Sequence, residues 1–302
     1  MSRRTVTGAC HDAVMEIGDH IAALDEHGKL LADAADRAGL DAVVPTCPGW
    51  RVRDLLRHIG YVHRWATGYV AGQLTEMVPE LSEAEQLAAG PADDELIDWY
   101  TTGLTALKGA LDRADPAMAA WTFLPADSPL AFWARRQAHE TAIHSADAQL
   151  AAGGRPGFPA DLAADGVDEL LIGFFGRDAA QADAGQADAR QAGPATEGWA
   201  PAAGDGRVLA VRSIDTGQAW HVRLSQDASR ILATGRGDYV DGNCESGDRG
   251  DRLAADCTVS GPASGAYLLL WNRADLLAAD AAVSGEPSVL ADWISNMRVT
   301  WA

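Results

Sequence analysis

A change of hydrophobic period near the middle of the chain limits what it can fold into. Up to residue 177 the apolar residues recur at helical spacing. Val14, Ile17, Ile21, Leu24, Leu30 and Leu31 mark a first helix within 12–39. VPTCPGW (44–50) interrupts it with Pro45, Pro48 and Gly49. Further helices are expected at 51–72, 93–114 and 128–152, with a fifth segment at 160–177. Helices of about 20 residues joined by loops predict an antiparallel bundle. Residues 178–206 are then almost free of large apolar side chains and read as a flexible, low-complexity linker. Beyond it, VLAVRSI (208–214), AWHVRLS (219–225), RILATG (230–235) and DCTVSG (256–261) alternate as short strands. PASGAYLLLWNR (262–273) reads as a helix with Pro262 at its start, and MRVTWA (297–302) as a last strand. The expectation is an α+β multidomain protein: a helical bundle over 1–177, the linker, and a small antiparallel sheet with a helix over 207–302.

Charge removes whole classes of function. The 302 residues hold 24 Lys and Arg against 43 Asp and Glu, a formal net charge of −19. Nucleic-acid binders neutralise phosphate with a basic footprint, and anionic membrane surfaces select for the same sign. No nucleic acid and no membrane are therefore expected as partners. No run of about 18 apolar residues offers a membrane span, and the start lacks the apolar core of a secretory signal. Cysteines 10, 47, 244 and 257 form no CxxC pair, which fits reduced thiols and a cytoplasmic location.

The helix over 128–152 carries the densest chemistry. Arg136, Gln137, Glu140, His144 and Asp147 fall within an arc of about 100°. Burying such a stripe without partners costs several kcal/mol, so it calls for pairing, hydration or a metal. Glu140 and His144 stand four residues apart, one turn along a single face. His58, at the edge of the apolar stripe of the helix over 51–72, offers a third ligand, with Asp54 one turn earlier as a partner for its imidazole. One carboxylate and two imidazoles leave a fourth position open, as catalytic zinc sites do. Spacing alone leaves the alternatives standing. Glu140 and His144 also suit a surface pair, and His58 a packed core histidine.

Other residues carry weaker signals. His63 is about 140° round the helix from His58, and His139 lies off the Glu140–His144 stripe. His11, His20 and His27 show no paired spacing, and His221 has no evident partner. Cys47 suits a small buried turn residue better than a nucleophile, and Trp50 a packing anchor better than a substrate platform. Trp271 reads as core, and the acidic stretch Asp238–Asp251 as a solvated loop without the EF-hand pattern.

The runs VPTCPGWRVRDLLRHIGYVHRWA (44–66), RRQAHETAIHSADA (135–148) and TVSGPASGAYLLLWNR (258–273) together resemble the mycothiol-dependent maleylpyruvate isomerase family, in that order. The resemblance implies an N-terminal DinB-like four-helix bundle and a sterol-carrier-like α+β C-terminal domain. It implies a divalent metal, usually zinc, on His58, Glu140 and His144, with mycothiol as the thiol cosubstrate. It also implies a catalytic arginine from the C-terminal domain, for which Arg273 is the best match. A metal ion lowers the pKa of a thiol ligand and holds a thiolate near neutral pH. Such a thiolate can add to a conjugated double bond, allow rotation and leave again. It can also attack an electrophile and stay attached. The implied partners are a small-molecule thiol and an electrophilic or unsaturated acid, whose carboxylates suit an arginine fork. Two other readings remain open on the residues: a binding protein holding an apolar ligand in the C-terminal domain with a structural metal, and a sensor of metal or thiol.

Overall fold

The structure is a computed structural model that describes residues 15–78, 81–174, 205–225, 230–235 and 255–296. Four long helices build the N-terminal half: α1 (Ile17–Ala38), α2 (Val52–Gly72), α4 (Leu96–Arg113) and α5 (Pro129–Ala151). A short helix, α3 (Glu83–Ala88), sits between α2 and α4. Local chemistry sets the ends. Ser128 accepts a hydrogen bond from the Ala131 N–H at the start of α5, and Pro129 follows at a position where its missing N–H costs nothing. At the start of α2 the Asp54 carboxylate accepts from the Arg51 N–H, 2.8 Å away.

α5 is the axis of the molecule. Every residue from Phe132 to Ala134 and from Arg136 to Ala148 is buried. Ala134, Ala138, Ala142 and Ala146 recur every four residues, so neighbouring elements can approach it closely. α1 and α2 pack on α5, and α4 packs across α1 and α2. The polar stripe expected on one side of this helix is thus enclosed by protein all round. The fifth predicted helix is α6 (Ala160–Asp168), continued by a π-helical turn over Glu169–Phe174 that carries Glu169 inward.

The C-terminal half contains a five-stranded sheet in the order β3-β2-β1-β4-β5. Its strands are β1 (Asp205–Ser213), β2 (Ala219–Ser225), β3 (Arg230–Gly235), β4 (Cys257–Gly261) and β5 (Ala282–Gly285). The β1–β4 pair is parallel, with Leu209 opposite Cys257 and Val211 opposite Val259. The other pairs are antiparallel, so the purely antiparallel sheet expected from sequence is corrected at this one pair. Helices α7 (Ala263–Leu270) and α8 (Pro287–Asn296) pack on β1 and β4. α3, β5 and α8 have no counterpart in the sequence reading; α3 and β5, of six and four residues, are too short to display a period. The linker over 178–206 except its last two residues, the Asp238–Asp251 stretch, the 297–302 strand and His11 lie outside the described residues.

The two halves are fused rather than tethered. One hydrophobic cluster runs from Leu24 and Trp133 through Val167 and Tyr267 to Val211 and Trp293. Gly166 of α6 lies against α7 so closely that a Cβ there would come within 2.4 Å of the Tyr267 ring. Polar contacts stitch the same seam: the Phe158 N–H donates to Ser264 Oγ and the Trp220 indole N–H to Asp168. Among the described residues no helix is long and apolar enough to cross a membrane.

Candidate metal centre

His58 comes from the first half of α2 and Glu140 and His144 from the middle of α5, where the two helices pack together. All three are at least 96% buried. Glu140 Oε1 stands 3.3 Å from His144 Nε2 and 3.6 Å from His58 Nε2. One ligand atom from each residue lies within 4.8 Å of the others, a spacing that can hold a single ion. The structure thus brings together the three residues expected from sequence.

Each imidazole is oriented from behind. His144 Nδ1 lies 2.9 Å from Asp147 Oδ2, so an Nδ1–H tautomer donates to the carboxylate and turns the Nε2 lone pair toward Glu140. His58 Nδ1 is held in the same way at 2.9 Å by the Gln86 side-chain carbonyl oxygen. Gln86 is itself fixed by donating its amide to the Leu81 carbonyl, 2.7 Å away. Asp54, the partner expected for His58, is instead spent on capping α2. Its carboxylate competes for a backbone N–H that the helix start leaves unpaired, and the cap wins. Replacing Gln86 by leucine should therefore lower zinc affinity by roughly 10–100-fold, the usual cost of losing such a partner. Competition against a chromogenic chelator measures this. An unchanged affinity would show that packing alone holds the His58 ring.

The electrostatics favour a cation at Glu140. Burial works against a charged carboxylate, but the Arg136 guanidinium, 2.7 Å from Oε2, holds its pKa well below the usual range. Arg136 also pairs with Glu169 from the π-helical turn. Oε1 makes no hydrogen bond among the described residues, although it is buried and charged. A buried anionic oxygen facing two imidazoles is costly unless a bound cation or a proton on one of those rings meets it, and the two histidines also help to hold the Glu140 pKa low. His144 is raised despite burial by its bond to Asp147 and then by Glu140. Asp147 is held low, against its burial, mainly by Arg273.

The VPTCPGW turn closes over this centre. The Val44 N–H bonds to the Trp50 carbonyl at 3.0 Å, and Gly49 supplies the positive φ of +90° that the turn needs. The Trp50 ring centroid lies 5.1 Å from that of His58 and 6.3 Å, nearly parallel, from that of His144. Trp50 thus covers the histidines and does more than anchor the turn. Thr46 and Cys47 both donate to Asp147. Burial, reinforced by Asp147, pushes the Cys47 thiol up to about 12, so it stays protonated at neutral pH. From the other half, Arg273 grips Asp147 with Nε and one terminal nitrogen, each at 3.0 Å. The sequence reading found Arg273, His58, Glu140 and His144, but not the parts played by Gln86, Asp147 and Trp50.

A second constellation shows by contrast what marks the first. His20, His139 and Asp165 also satisfy the spacing for an ion. Here His20, His139 and Arg135 all converge on Asp165 Oδ2, at 2.9, 2.7 and 2.9 Å. His139 Nδ1 meets the Tyr267 hydroxyl at 3.1 Å. The carboxylate oxygen is already satisfied by three donors, one a fixed cation. This cluster is a polar joint between the halves, and it gives His20 a partner that its sequence spacing concealed. His63 is buried against Thr141, His27 against Phe158, and Trp271 is core; His221 is a partly exposed strand residue.

A helical half that gathers a buried His–Glu–His set, closed by an α+β half, defines a protein with a candidate metal site in a helix bundle. Residues 21–149 match the model of the mycothiol maleylpyruvate isomerase N-terminal domain. Two solved structures, a mycothiol-dependent maleylpyruvate isomerase and a point mutant of it, share the fold. Each aligns with a TM-score of 0.55 and 15% identity, over 93% of this chain and 97% of its own. No curated protein sequence matches the chain.

Proposed function

We propose that this chain is a mycothiol-dependent enzyme acting on an electrophilic or unsaturated acid, by cis–trans isomerisation of a maleylpyruvate-like substrate or by S-transfer. The observation that carries this reading is Glu140 Oε1. It is charged, buried, without a hydrogen bond among the described residues, and set between two oriented imidazoles. His58, Glu140 and His144 would hold a divalent metal, zinc by the chemistry of the donor set. When bound, the metal supplies acidity to a coordinated thiol, so that mycothiol reacts as the thiolate near pH 7.

The chain's own residues supply the rest. Arg136 keeps Glu140 ionised, so the centre presents a fixed negative group beside two imidazoles. Asp147 and Gln86 fix the two imidazole rings. Trp50 shields them from water on the side of the turn. Arg273 brings a guanidinium from the α+β half to the same place, where its nitrogens pair with Asp147 and the Trp271 carbonyl rather than standing free for a substrate carboxylate. The solved structures of similar fold are of a maleylpyruvate isomerase, which favours isomerisation over transfer.

The test combines elemental analysis with calorimetric titration of mycothiol. One metal per chain is expected, with thiol binding lost on chelation and restored by zinc. Metal content far below one per chain, with no thiol binding after zinc addition, overturns the reading. If mycothiol binds, turnover of maleylpyruvate against a panel of electrophiles separates isomerase from transferase.

A further inference from the structure

We propose that Arg273 is a positioning residue: it sets the geometry of the metal centre by clamping Asp147, so that the α+β half completes a site whose ligands all lie in the helical half. The proposal rests on the metal reading above.

The contacts form one unbroken line. Arg273 follows α7, where Asn272 takes a positive φ of +57° and reverses the chain, and its N–H caps the Leu268 carbonyl. Its side chain then reaches across the seam. Nε donates to Asp147 Oδ1 and a terminal nitrogen to Oδ2, each at 3.0 Å. The other terminal nitrogen donates to the Trp271 carbonyl, 2.8 Å away. All three guanidinium nitrogens are therefore engaged within the protein. A fork held this way is committed to a carboxylate of its own chain, and the two-point contact fixes the plane of that carboxylate.

That plane matters because of what else Asp147 touches. The Asp147 side chain is fully buried, and its Oδ2 receives His144 Nδ1 at 2.9 Å. Thr46 and Cys47 also donate to Asp147. Without Arg273 the carboxylate would be a buried anion drawn toward the turn that carries Thr46 and Cys47. The His144 ring would lose its fixed partner, and its Nε2 would no longer be aimed at Glu140. A lysine cannot replace the fork, since a single ammonium point cannot hold both oxygens in one plane.

The experiment uses the full chain with Arg273→Met and Arg273→Lys. Zinc affinity is measured by chelator competition, and the cobalt-substituted visible spectrum is recorded. Circular dichroism and thermal midpoint report on the fold. The expected result is a zinc affinity about tenfold or more weaker in both folded variants. The cobalt bands should change as well, because the angle of one imidazole ligand changes. A residue that only ties the halves together would lower the thermal midpoint and leave zinc affinity and the cobalt spectrum as in wild type. That result overturns the proposal. If Arg273→Met fails to fold, Arg273→Lys decides between the same two outcomes. If wild type itself binds neither zinc nor cobalt, the metal reading fails and this inference with it. If wild type binds and both folded variants match it, only the role of Arg273 is lost.

Discussion

Glu140→Gln will retain the fold and lose the metal. The substitution preserves the shape of the side chain and removes the one anionic ligand of the three. Loss of a partner behind a ligand weakens a site by about 10–100-fold, so loss of the charged ligand itself should exceed that range. Mycothiol-dependent turnover should fall to background with it. The variant also relieves a strain in the metal-free protein. Glu140 Oε1 is a buried charge with no hydrogen bond among the described residues, while Oε2 serves Arg136. An amide can keep the contact to Arg136 through its carbonyl, so the metal-free variant should unfold at a temperature equal to or above that of the metal-free wild type. Chelator competition and thermal unfolding with and without zinc measure both halves of the expectation. A Glu140→Gln protein that binds zinc as tightly as wild type would remove Glu140 from the ligand set.

The second large effect is on stability in acid. Burial in the helical core lowers the His63 pKa from 6.5 to about 3. The native protein thus keeps this ring neutral, while the unfolded chain protonates it below about pH 6.5. Between those values the unfolded state binds more protons, so stability falls as pH falls. From pH 7 to pH 4 the single residue should account for a loss on the order of 3 kcal/mol. His63→Phe removes the titration and keeps most of the volume, at the cost of the 2.9 Å contact with Thr141. Urea unfolding of both proteins across this range should show the wild-type curve falling more steeply. Parallel curves would mean that His63 is solvated or charged in the folded state.

Much of this site could be read from sequence because its parts are local. Glu140 and His144 share a helix at a spacing of one turn, and His58 sits at the edge of an apolar stripe. Those relations survive translation into three dimensions whatever the loops do. The residues that orient them were harder to find. Gln86 belongs to a six-residue helix, too short for a hydrophobic period, and meets His58 across a long connection. Asp54 had the better spacing, but a helix N-terminus claimed it. His20 and Asp165 are 145 residues apart, and only the packing of α1, α5 and α6 reveals that they meet. α5 misled in another way. Its buried surface extends all round and is built largely from alanine, so the helix shows almost no amphipathic contrast although it is the centre of the core.

The seam between the halves has a consequence for how the molecule divides. The segment that matches the family model stops at residue 149, within the last turn of α5. The apolar cluster does not stop there. It continues through Val167 and Tyr267 into the sheet. Sequence likeness and physical integrity therefore draw different borders on this chain. The matched segment carries His58, Glu140 and His144, yet the surface that would enclose it is supplied by sequence beyond its own edge. A fragment cut at the border of the match would keep these three residues and expose the inner wall of the core to water.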